Sequence, residues 1–167
     1  IKQAAEFGIT QGGQSLAGLL LFITDIHGLG LDTAQGLYLT EGFYWDRDDQ
    51  SRDFGNRYKE RTGAMPTMVQ AGTYSAVLSY LKAIEAANSD DAAAVSKQLK
   101  SMTINDAFAR NATVAPNGRL MNDVFLMQVK TPEESKGEWD YYNVRATIPG
   151  AEAYMKPAEA GCPLVTG

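Results

Sequence analysis

The chain has 167 residues, of which 44% are hydrophobic and 21% charged, so wholesale disorder is excluded and a buried core is feasible. Fifteen Lys and Arg stand against twenty Asp and Glu, a net charge of −5. That balance argues against nucleic acid, whose phosphates need a dense basic surface, and against an anionic membrane. The longest apolar stretch, residues 16–23, falls far short of the ~20 residues that span a bilayer.

The opening, Ile1-Lys2-Gln3-Ala4-Ala5-Glu6-Phe7-Gly8, reads as the last turns of an amphipathic helix stopped by Gly8. There is no initiator Met and no signal-peptide leader, and the expectation is a fragment of a longer polypeptide. After a polar connection (10–15), the apolar run 19–23 predicts a strand buried on both faces. Residues 32–35 read as a short helix and 36–40 as a second strand, ending in Glu41-Gly42-Phe43-Tyr44-Trp45-Asp46. Residues 47–62 are charged, with Phe54 and Tyr58 four apart, and predict a surface helix closed by Gly63. In residues 74–87 the apolar positions Val77, Leu78, Leu81 and Ile84 recur at helical spacing, with Asn88 as C-terminal cap. Ser89 and Asp90 are placed to cap the next helix, whose face is Val95, Leu99 and Met102. Residues 115–118 form a turn, and the runs 124–129 and 141–148 predict a hairpin. The remainder, through Pro157 and Pro163, reads as a tail. Alternating strands and helices imply an α/β fold: a parallel sheet flanked by helices, plus the late hairpin.

Chemistry-bearing motifs are few. Gly28-Leu29-Gly30 lacks the third glycine of a dinucleotide fingerprint and the Lys-Ser/Thr of a phosphate loop, so no cofactor is expected. One His and one Cys make a closed zinc site improbable. Cys162 has no partner cysteine within the chain. Asp25 and His27 could serve an α/β hydrolase with Ser15 as nucleophile, but a lone His after a strand is more often a hydrogen-bonded structural residue. No catalytic residue is therefore assigned.

Position carries the stronger expectation. Ligands of open parallel sheets bind beyond the carboxyl ends of the strands. Thr24 and Asp25 follow the first expected strand, and Tyr44 and Trp45 follow the second. The aromatic pair would give a flat pocket wall, and Asp25 a carboxylate for an ammonium or hydroxyl. The alternatives are that the aromatics pack in the core, that Asp25 caps a helix, and that Glu41 pairs with an arginine such as Arg47.

Five stretches, IKQAAEFGI, GLYLTEGFYWD, FGNRYKERTGAMPTMVQAGTYSAVLSYLKAIEAA, NGRLMNDVFLMQVKTP and EWDYYNVRATIPG, carry a resemblance over nearly the whole chain. Their order resembles the C-terminal half of a type I periplasmic solute-binding protein, in the branched-chain amino acid-binding group that feeds ATP-driven (ABC) importers. The GFYWD run is similar to a subgroup that binds aromatic acids, so the resemblance implies a small aromatic carboxylate as the first expected solute and a branched or aromatic amino acid as the second. This resemblance implies two α/β lobes closing on a solute. Residues 1–66 would then be part of the second lobe, 67–115 helices of the first, and 116–167 the hairpin, hinge return and tail. It implies a periplasmic, non-enzymatic receptor whose partners are a small-molecule solute, the membrane permease of the importer, and the N-terminal part of the same polypeptide. It implies that Asp25 matches the acidic residue that holds the solute ammonium in amino acid-binding relatives. Met68 or Val69 would line the side-chain pocket, with Ala71 and Gly72 leaving room for a ring. The first lobe would supply the hydroxyls and N–H groups that hold a solute carboxylate. A sensory receptor of the same fold is the alternative function within this resemblance.

Overall fold

A computed structural model describes residues 1–161; Cys162 and the end of the tail lie outside the described residues. The chain forms two compact units. The first comprises Ile1–Met68 and Phe125–Thr147, and the second Val69–Val124 with residues 148–161.

The first unit is a four-stranded sheet with helices. It opens with α1 (Lys2–Glu6), whose exit needs the positive φ of Gly8 (64°), and continues to β1 (Ala17–Gly18). Next come α2 (Ile23–Leu29), α3 (Leu31–Ala34), β2 (Tyr38–Glu41) and α4 (Asp49–Thr62). The sheet is completed by β5 (Val124–Val129) and β6 (Tyr142–Ile148), in the order β1-β2-β5-β6. β1 and β2 are parallel, with Ala17 opposite Tyr38 and Gly18 opposite Leu39, whereas β5 runs antiparallel to β2. The core beneath is built from Ile23, Ile26, Leu37, Leu39, Met127 and Val129, and it includes Tyr44, Trp139 and Tyr142.

The apolar run 19–23 does not form the expected strand. β1 ends at Gly18, Leu19 and Leu20 are 97% and 70% exposed, and Ile23 opens α2. The physical reason is local. Asp25 accepts the Phe22 backbone N–H at 2.8 Å, which starts a helix, and Ile23 and Ile26, three apart, then share its buried side. The helix expected over 47–62 is α4. Asp48 caps it by accepting the Ser51 N–H at 2.9 Å, and Gly63 ends it at φ 83°. Phe54 meets Phe43 edge to face with centroids 5.9 Å apart.

The second unit contains α5 (Met68–Ala87, entered from the first unit), α6 (Ala92–Ser101), and a small hairpin of β3 (Thr113–Val114) and β4 (Leu120–Met121). A last short helix is α7 (Gly150–Ala153). Asp91, rather than Ser89 or Asp90, caps α6, accepting the N–H groups of Ala93 and Ala94. α5 corrects a second expectation. It begins six residues before Tyr74, and its buried positions are Ala71, Ser75, Ser79 and Ala83, at a strict four-residue spacing, while Val77 and Leu81 are exposed. The small side chains admit the 105–109 turn. Ser75 Oγ donates to Asp106 at 2.6 Å, and Asp106 also accepts the N–H groups of Phe108 and Ala109. Ile104, Ala109 and Ala112 form the core there. Among the described residues no helix is long and apolar enough to cross a membrane.

Candidate functional site

The parallel pair β1 and β2 ends along one edge of the first unit, where chain polarity and the β1–β2 register bring three sequence features together. After β1 come the exposed Leu19 and Leu20, then α2 carrying Thr24 and Asp25. β2 ends in Glu41, which lies two residues beyond Leu39 and so shares its buried face. Glu41 is only 1% exposed. Neither of its carboxyl oxygens has a hydrogen-bond partner, nor has the buried hydroxyl of Tyr142 on β6. Burial pushes the Glu41 carboxyl up to about 8, and the negative charge of Asp25 adds to the shift. Tyr142 is raised as well, first by burial, then by repulsion from Glu41, Tyr44 and Asp25. The ring of Tyr142 lies 5.4 Å from that of Tyr44. Asp25, Glu41, Tyr44 and Tyr142 therefore form one electrostatic cluster, running from an exposed carboxylate to a buried carboxyl.

The expected site residues are distributed unevenly around this cluster. Asp25 belongs to it, but from the first turn of a helix rather than a strand tip, and Thr24 beside it is exposed. Met68 is close, since its sulfur accepts the Gly42 N–H at 3.4 Å. Val69 falls in the second unit and is exposed. Tyr44 and Trp45 do not present an aromatic wall. Tyr44 is buried in the core, its hydroxyl donating to Asp140 at 3.4 Å, and the Trp45 indole donates to the Trp139 carbonyl at 2.8 Å. Asp140 is fixed in turn by an ion pair with Lys130 and by the Lys136 N–H. Although its own burial opposes ionisation, those hydrogen bonds hold it below the usual carboxylate range. The aromatic run is thus anchored by polar contacts to the 136–140 turn, which is why it packs.

Glu41 is not paired with Arg47. The Arg47 guanidinium bonds Asp48 at 3.0 Å and lies over the Phe125 ring. His27 is not poised as a base either: its ring stacks on Trp139 with centroids 4.1 Å apart, and its Nδ1 shares a 2.8 Å hydrogen bond with the Tyr141 hydroxyl. Reasoning from sequence missed Glu41 and Tyr142, and it took Leu19 and Leu20 for core. One signal was available for Glu41: an acid in phase with Leu39 on the core face of a strand.

A mixed sheet with a parallel pair and flanking helices defines an α/β protein. The comparisons narrow the class. Residues 1–138 match the periplasmic binding protein family, and the chain belongs to that family. A periplasmic binding protein from Burkholderia mallei is 48% identical, with a TM-score of 0.91, the match covering 99% of this chain and 44% of that one. A branched-chain amino acid ABC transporter periplasmic ligand-binding protein from Burkholderia xenovorans is 42% identical, with a TM-score of 0.90, covering 98% of this chain and 44% of that one. A solute-binding protein of an ABC transporter from Rhodopseudomonas palustris, solved with 3,4-dihydroxybenzoic acid, shares the fold at 19% identity and a TM-score of 0.74, covering 89% of this chain and 41% of that one. The chain thus spans less than half the length of these relatives, which are binding proteins, not enzymes. No curated protein matches.

Proposed function

We propose that this chain is part of the extracytoplasmic, periplasmic solute receptor of an ABC importer, and that its solute is a small molecule bearing an amino group, an amino acid foremost. The supporting observation is a pair of carboxyl groups: Asp25, exposed in the first turn of α2, and Glu41, buried and unpartnered at the end of β2, which feels the Asp25 charge. Negative charge here attracts an ammonium and repels a bare carboxylate. Because Tyr44 is buried in the core and Trp45 packs against it, the aromatic acid expected first from the sequence loses its flat wall. Within the first unit, Thr24 and Met68 join the binding set with Leu19 and Leu20, which offer apolar surface for a side chain. The relatives' further length corresponds to the rest of a two-lobe receptor, including the groups that take the solute carboxylate. Solute held on one lobe recruits the other, and differential affinity for the closed form makes closure a signal that the permease reads.

A thermal-shift screen of the receptor carrying this chain, against amino acids and aromatic acids, tests the reading. A bound amino acid raises the Tm by mass action, and Asp25→Asn removes most of that rise. If no amino acid raises the Tm, or if Asp25→Asn leaves the rise intact, the reading fails.

A further inference from the structure

Glu41 and Tyr142 are both buried, and both lack hydrogen-bond partners, in one core. Such pairs are rare, because an orphaned polar group opposes folding and an aliphatic side chain would fill the same place. The groups that face Glu41 come from each neighbouring element. Asp25 acts from α2 and Tyr142 from β6, and behind Tyr142 stands Tyr44, from the segment after β2, whose ring centroid lies 5.4 Å from that of Tyr142. On β5 the register partner is Phe125, beneath the Arg47 guanidinium that Asp48 binds. From the start of α5, Met68 reaches Gly42, the next residue in the chain. Burial and the Asp25 charge both act against an ionised Glu41, and a cation beside Asp25 would offset the second of these.

We propose that Glu41 makes solute capture proton-linked: a cationic group seated beside Asp25 draws Glu41 into its ionised form, and the acid's proton leaves for bulk water as the cation arrives. Where Glu41 ionises, the O–H bond of the carboxyl breaks and its proton goes to water; with a midpoint that falls by about one unit, only a fraction of a proton is released per cation bound. This deepens the amine-bearing solute reading and rests on it. Linkage is reciprocal, so whatever the cation does to the Glu41 midpoint, pH does to the affinity for the cation. A midpoint lowered by about one unit corresponds to an affinity about tenfold weaker well below the midpoint than well above it, with no further fall beyond that.

The test uses the receptor carrying this chain, with n-propylammonium as the cationic probe and propionate as the anionic control. Glu41 is followed through its side-chain carboxyl 13C resonance, assigned by its loss in Glu41→Gln. The expected midpoint without probe is near 8, falling by about one unit in saturating n-propylammonium and not falling in propionate. In Asp25→Asn the probe-free midpoint drops and the n-propylammonium effect disappears. A midpoint near the ordinary 4.5, one that n-propylammonium leaves in place, or a response unaltered in Asp25→Asn overturns the proposal. A solute that raises the Tm without moving the midpoint also overturns it while leaving the receptor reading intact. A Glu41 response to n-propylammonium without any stabilising amino acid is the failure of the receptor reading alone.

Discussion

Replacing Glu41 with Gln keeps the side-chain shape and removes the ionisation, which gives the buried carboxyl a measurable signature in stability. In the folded chain the carboxyl holds its proton up to about pH 8; unfolded, it titrates near 4.5. Below pH 4.5 both states carry the proton, and the favourable contribution of the neutral folded acid is fully present. Between the two values the folded state binds more protons than the unfolded one, so stability falls as pH rises, at about 1.4 kcal/mol per unit. Over that window the loss amounts to about 5 kcal/mol, and above pH 8 it no longer grows. Set against a typical total of about 5–15 kcal/mol, this is large enough to dominate alkaline stability. The amide of Glu41→Gln has no such dependence, and carboxylates outside the cluster with Asp25 contribute equally to both proteins. Urea titrations at pH 5, 6.5 and 8 should therefore show similar midpoints at pH 5 and a variant ahead by about 2 M at pH 8, for a slope near 2 kcal/mol/M. Parallel curves for the two proteins across that range would refute the argument.

Two further substitutions probe the scaffold. Gly63→Ala should cost about 1 kcal/mol, read as a lower Tm, because φ is 83° there while the space for a Cβ is open, so the effect is purely conformational; an unchanged Tm would show that the α4 terminus tolerates an L side chain. Ser75→Ala removes the hydroxyl that donates to Asp106 at 2.6 Å and should cost about 1–2 kcal/mol in urea unfolding, while the Asp106 contacts to Phe108 and Ala109 persist. No loss would mean that the backbone contacts alone seat the 105–109 turn on α5.

Much of the architecture was legible because its signals are local. The α4 limits follow from a cap and a glycine, β2 from its alternation, and the partnering of β5 with β6 from the polar loop between two β-rich runs. In residues 19–23 the failure is that apolarity was read as burial. Residues 19–23 form an unbroken apolar run, yet the single hydrogen bond from Phe22 to Asp25 hands its second half to a helix and leaves Leu19 and Leu20 in the open. On α5 the larger aliphatics drew attention, although the close-packed face belongs to Ala71, Ser75, Ser79 and Ala83, whose small volume lets a turn approach. Helical periodicity identifies faces but does not say which of two is covered when both are regular.

The candidate site shows the same reasoning at the level of chemistry. The aromatic run attracted a functional reading because aromatic side chains line pockets, but they build cores equally well, and here Asp140 and the Trp139 carbonyl tie Tyr44 and Trp45 inward. Glu41 carried a sharper signal. A carboxyl in phase with Leu39 conflicts with the strand's own burial pattern, and such conflicts persist where something other than stability maintains them. Neutralising that acid by burial would satisfy the core only if its hydroxyl and carbonyl were paired, and neither oxygen is. A side chain retained at this cost, next to a second carboxylate that makes its ionisation harder still, is better explained by what approaches the sheet edge than by anything within the sheet.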